Sequence, residues 1–84
     1  MNKKQRQTLR KIFEKPERPD ISWYDIEGLF IALGGEVTEG KGSRVRVALN
    51  DVRAVFHRPH PERVTNKGSV KSVRKFLIES GVKP

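Results

Sequence analysis

The chain has 84 residues, enough for one small domain with a thin core. It contains no cysteine, which excludes a disulfide scaffold and any thiolate zinc site, and no run approaches the ~20 apolar residues of a membrane span. Lys and Arg number 18 against 10 Asp and Glu, a net charge of +8, which favours a polyanion or an acidic partner protein over a neutral ligand.

From the N-terminus, MNKKQRQTLRKIFEK has the charge of a signal peptide but lacks its apolar middle, so the chain reads as cytoplasmic and uncleaved. Leu9, Ile12 and Phe13 fall at i, i+3, i+4 and predict a helix over 3–14. KPERPD follows, and Pro16 and Pro19 break the helix into a short connector. Ser22 is a good N-cap with Asp25 three residues on, as in a capping box, and Ile21 and Ile26 are placed as a hydrophobic staple. Ile26, Leu29, Phe30 and Leu33 then form the apolar stripe of a second helix, which Gly34-Gly35 ends. Trp23, in its first turn, reads as packing.

A short strand, Glu36 to Glu39, comes next, then the flexible turn Gly40-Lys41-Gly42. Val45, Val47 and Leu49 alternate with Arg44, Arg46 and Ala48; Val52, Ala54 and Phe56 alternate with Arg53, Val55 and His57. Asn50-Asp51 between them suits a two-residue type I′ turn, because both residues tolerate positive φ. That turn dictates the register. Leu49 faces Val52, Val47 faces Ala54 and Val45 faces Phe56 on a core side. Ala48 faces Arg53, Arg46 faces Val55 and Arg44 faces His57 on the other. A one-residue slip would turn the arginines into the core. Pro59 and Pro61 stop the third strand, HPERVTNK reads as a polar, basic loop, and Ser69 caps a last helix with Val70, Val73, Phe76 and Leu77 inward and Gly81 at its end. The order α-α-β-β-β-α makes an α+β domain of two layers, with helices on one face of a three-stranded antiparallel sheet.

Residues 41–63 carry Lys41, Arg44, Arg46, Arg53, Arg58 and Arg63 against only Asp51 and Glu62. Exposed arginines hold phosphates with forked hydrogen bonds, so this face reads as a polyanion surface, with Lys67 at the strand ends. His57 points outward beside Arg44, and His60 opens the following loop. Imidazole titrates near neutral pH and can take the proton from an attacking hydroxyl or give one to a leaving oxygen, while a fixed cation stabilises charge growing on phosphate. Two histidines without a carboxylate cluster make a poor metal site, and no bound metal or other cofactor is expected.

GLFIALGGEV, GKGSRVRV, RAVFHRPH and KGSVKSVRKFLIESGVKP, in this order, resemble the HicA toxins of bacterial toxin–antitoxin pairs. The likeness covers residues from about 22 to 84, so 1–84 reads as one HicA-like domain whose residues 1–20 are an N-terminal helical extension. The resemblance implies a double-stranded-RNA-binding-domain-like fold and a small mRNA endoribonuclease held inactive by a HicB antitoxin. Gly68-Ser69 matches the family's start to the last helix and Arg58-Pro59-His60 matches its later Pro-x-His-like segment loosely. The Gly42-Ser43 pair is followed by Arg44 where the family has the histidine usually taken as catalytic.

Arginine stays protonated and is a poor general base. Either this branch lost cleavage and kept RNA or antitoxin binding, or the histidine moved. The register makes the second idea concrete, since side chains directly opposite stand about 4.5–5.5 Å apart at Cβ. The leading expectation is a toxin cutting mRNA without metal, with His57 as proton-transfer group, His60 as second candidate, and Lys41, Ser43, Arg44, Arg46, Arg53, Arg58 and Lys67 binding RNA. The alternatives are a non-catalytic RNA-binding module on the same fold and an interaction protein whose basic face meets an acidic partner.

Overall fold

The computed structural model describes residues 1–84. Helix α1 spans Lys3–Phe13. It starts where the spacing predicts, under a cap the spacing does not show: the Asn2 side chain accepts from the Gln5 backbone N–H, and the Gln5 side chain accepts in return from Asn2 N–H, both at 2.9 Å, a reciprocal cap that satisfies two otherwise free donors. Leu9 and Ile12 are buried and Phe13 half-buried. The other end of α1 is closed by a distant residue. Arg74 donates from Nε to Ile12 O at 3.0 Å and from Nη2 to Glu14 O at 3.3 Å, which occupies the carbonyls a helix terminus leaves free.

Strand β1, Ile21–Ser22, pairs antiparallel with β5, Val64–Thr65. This small ladder corrects two expectations. HPERVTNK is not wholly loop, and Ser22 stands at the N-cap of helix α2 (Trp23–Ala32) without a side-chain cap bond. Asp25 meets Lys4 at 3.6 Å instead of completing a capping box. Ile21 and Ile26 are both buried, as a staple requires. Helix α2 ends in paired C-terminal bonds, Gly34 N–H to Ile31 O and Gly35 N–H to Phe30 O, with Gly34 at φ 91°. A Cβ on Gly35 would sit 2.9 Å from Phe30 O and 3.1 Å from Ala48 O, so only glycine lets the chain turn this tightly into the sheet.

Strands β2 (Glu36–Glu39), β3 (Arg44–Leu49) and β4 (Val52–His57) form one antiparallel sheet in the order β2-β3-β4. Every β3–β4 pair has the register the alternation predicts, from Leu49↔Val52 to Arg44↔His57. Asn50 and Asp51 take φ of 49° and 67°, as a type I′ turn demands. Asn50 Nδ2 also donates to Ser80 O at 2.8 Å, tying the turn to the end of helix α3, Lys67–Glu79. The N-cap of that helix lies three residues before the expected Ser69: it is Asn66, whose side chain accepts from Ser69 N–H at 2.8 Å. Val70, Val73, Phe76 and Leu77 are buried as expected.

The core lies between the three helices and the inner sheet face of Val45, Val47, Leu49 and Phe56. Four aromatic rings hold the layers together. Phe30 stacks on Phe56 with centroids 5.8 Å apart, and Phe76 meets both edge-on at 5.6 and 5.7 Å. Trp23 packs against Phe56 at 5.8 Å, a core role as the sequence suggested. Burying each such ring contributes roughly 1.5–3 kcal/mol, and their mutual geometry links α2, β4 and α3. No helix is long and apolar enough to cross a membrane.

Candidate nucleic-acid interface

With the inner face committed to the core, period-two alternation leaves Arg44, Arg46, Arg53, Val55 and His57 exposed on the outer face. The backbone refines the pairing of Arg44 with His57. Arg58 N–H donates to Ser43 O at 2.8 Å, so 43 and 58 belong to the hydrogen-bonded class and the 44/57 pair next to them to the non-hydrogen-bonded class. In that class the Cα atoms approach to about 4.5 Å and the side chains stand closest. Imidazole and guanidinium therefore rise side by side from adjacent strands on one face.

One pair further along, Arg46 lies across from Val55 on one side and Thr38 of β2 on the other. Arg53 and Arg46 border a shallow depression with Glu36, Thr38 and Val55. Glu36 shares the outer face because it pairs with Ala48. It is the carboxylate among these cations, and strand parity alone places it there.

Ser43 and Lys41 are exposed in the β2–β3 turn, where Gly42 takes φ 62°. Ser43 and Gly42 border a second groove with Arg58, Pro59 and His60. His60 is exposed between two prolines and also borders a third depression with Asn66 and Lys67, so Lys67 joins His60 rather than the arginine row. The structure thus brings together Arg44, Arg46, Arg53 and His57 on the sheet. It brings Ser43, His60 and Lys67 together around the loop at the sheet's end.

Arg58 stands apart. Its Nε and Nη2 donate to the two oxygens of Glu27 at 2.7 and 3.0 Å, its Nη1 donates to Glu39 Oε2 at 2.7 Å, and Nη2 lies 2.7 Å from Glu39 Oε1. All three guanidinium nitrogens are engaged. The Trp23 indole N–H also donates to Glu27. Hydrogen bonds that Arg58 donates to Glu27 and then to Glu39 raise its pKa above the ordinary value, and the Arg58 hydrogen bond holds the Glu39 carboxyl below its own. Arg58 is the bolt that fixes the end of β4, and hence the His57–His60 segment, to α2 and β2. The sequence carries no local signal for this, because the carboxylates lie 31 and 19 residues away.

No group of three or more His, Asp or Glu side chains converges in a way that could hold a metal ion. Chemically, the outer face offers three fixed cations and one imidazole that can exchange a proton, open to a ligand as broad as a polynucleotide strand.

A comparison with protein-family models matches residues 23–82 to the family described as HicA toxin of bacterial toxin-antitoxin. No curated protein and no solved structure matches the chain.

Proposed function

The chain belongs to the HicA toxin family, and from that premise we propose that it is an endoribonuclease acting on mRNA and neutralised by a HicB-like antitoxin. The observation that carries the reading is the Arg44↔His57 pair, side by side on an exposed sheet face that also bears Arg46 and Arg53. The arginines hold the RNA phosphates, which they suit by charge and by forked donor geometry. His57 accepts the proton of the ribose 2′-hydroxyl as its oxygen attacks the neighbouring phosphorus. The bond to the 5′-oxygen breaks, that oxygen takes a proton from His60 or water, and the products are a 2′,3′-cyclic phosphate and a free 5′-hydroxyl. Arg44 stabilises the charge that builds on the phosphoryl oxygens. The step uses no metal and no cofactor. A HicB-like antitoxin silences the toxin by covering this face.

The test is RNA cleavage by the purified chain in chelator, beside His57→Ala. Wild-type cutting, with a variant that binds RNA but cuts about 10²- to 10⁴-fold more slowly, is the expected result. Equal cutting by both moves the chemistry to His60. Arg44, in the place of the family's usual histidine, supports one second reading: a toxin-fold module that binds RNA without cutting it. Binding without cleavage by the wild type would establish that reading instead.

A further inference from the structure

Helix α2 buries Trp23, Ile26, Leu29 and Phe30, yet Tyr24 is 85% exposed. Its ring contributes nothing to the core, and it borders a groove with Arg63, Pro59, Arg58 and Glu27. Arg58 and Pro59 also border the groove that holds Ser43 and His60, so the two depressions adjoin at the Arg58-Pro59 step. Trp23 N–H donates to Arg63 O at 3.0 Å, beside the β1–β5 ladder, which holds the backbone of α2's first turn against the segment carrying Arg63. Arg63 is exposed and makes no ion pair, like Arg44, Arg46 and Arg53 of the sheet face. The acid in the groove, Glu27, has its oxygens engaged by Arg58 and the Trp23 indole N–H; because Glu39 shares the same guanidinium the cluster keeps one net negative charge, which the cation of Arg63 balances.

A flat exposed ring, a free cation and a proline ring, beside a histidine-bearing groove, have the chemistry that single-stranded nucleic acid uses: bases stack on aromatic faces while cations follow the backbone. We propose that Tyr24 is the stacking platform for one unpaired nucleobase of the RNA, beyond the His60 loop at the end of the sheet, with Arg63 on that nucleotide's phosphate. The proposal rests on the RNA-cleaving reading and adds to it a substrate form: the platform requires an unpaired base, so single strands are preferred over duplex.

The experiment measures binding of a fully 2′-O-methylated single-stranded oligoribonucleotide, which cannot be cut, to wild type, Tyr24→Ala, Tyr24→Phe, Tyr24→Trp and Arg53→Ala. Tyr24→Ala is expected to bind between about 5-fold and about 150-fold more weakly, the range of one base–aromatic stack. Tyr24→Phe binds as wild type does, and the added indole of Tyr24→Trp is quenched on binding. Thermal unfolding is unchanged throughout, because the ring is outside the core. If Arg53→Ala weakens binding and Tyr24→Ala does not, the platform is refuted while the RNA reading stands. If the wild type binds no RNA, both fall. If Tyr24→Ala keeps RNA binding but escapes neutralisation by the antitoxin, the ring belongs to a protein interface and the platform is again refuted.

Discussion

Replacing Glu27 by Gln keeps the shape of the side chain and removes the charge beneath Arg58. Glu27 is 17% exposed and accepts both Arg58 bonds and the Trp23 indole N–H. Glutamine offers one oxygen and an amide NH₂, and the NH₂ turns a donor toward a donor. At least one charge-assisted bond is lost, worth about 1.5–3 kcal/mol. Arg58 retains Glu39, which keeps the cost below the ~3–5 kcal/mol of stripping a partner from a fully buried pair. The expectation is about 2 kcal/mol, and at ~4–8 °C per kcal/mol for a domain of this size Tm falls by roughly 8–16 °C. Glu39→Gln is the control. Glu39 grips the same guanidinium at the same 2.7 Å, but it is 68% exposed and water replaces what it loses. Its Tm should barely move. Thermal unfolding followed by circular dichroism at pH 7 decides the matter. Equal losses for the two variants, or no loss for Glu27→Gln, would refute the argument that burial rather than distance sets the strength of this cluster.

Acid should weaken the fold through Glu17, Asp20 and Glu39, whose carboxyls are held below the ordinary range chiefly by hydrogen bonds from Arg74, Arg18 and Arg58. Their folded values are depressed, so their contribution is in place above about pH 4, the ordinary carboxylate value, and is lost as pH falls through the lowered values; Tm measured from pH 6 down to pH 2 checks this, and a flat profile contradicts it. Arg74→Met leaves the carbonyls of Ile12 and Glu14 without their buried donor and should cost about 2–3 kcal/mol in urea unfolding, with α1 the region that loses amide-exchange protection most. For the arginine row, RNA affinity should fall linearly on a log–log plot against salt, and Arg53→Ala should reduce the slope by about 0.7. An unchanged slope would mean that Arg53 does not meet phosphate.

The hairpin was fully legible because two independent signals agree on it: the apolar alternation and the Asn50-Asp51 turn allow only one register. The β1–β5 ladder was not, because two residues per strand give no period to detect, and Val64-Thr65 lies in an otherwise polar run. Ser22 and Ser69 are good caps by residue type. Yet Ser22 is drawn into the ladder, and Asn66, equally good by type, captures the start of α3. Local propensity ranks candidates at a helix end, and tertiary pairing chooses among them. Arg58 looked like another member of the basic face, since its carboxylate partners come from elements the chain brings back much later. Glu36 and Tyr24 were readable and passed over. Continuing the sheet's parity into β2 puts Glu36 outward, and helical spacing puts Tyr24 on the face of α2 opposite the Ile26–Leu29–Phe30 stripe.

The division between the two faces of the hairpin bears on how such a site can change. Val45, Val47, Leu49 and Phe56 carry the packing, so residues 44, 46, 53 and 57 can be exchanged with little effect on the fold. A histidine and an arginine that face each other across a non-hydrogen-bonded pair can also trade strands and leave the same two groups in contact. Under the proposed mechanism an arginine at 44 therefore removes nothing the chemistry needs, provided that an imidazole stands at 57. The adjacent position differs in kind. Arg58 follows His57 directly and holds the strand end to α2 and β2 through Glu27 and Glu39. On that mechanism, loss of activity at 44, 46, 53 or 57 with the fold intact would report on phosphate binding and proton transfer. Loss at 58 reports on the frame that aims them.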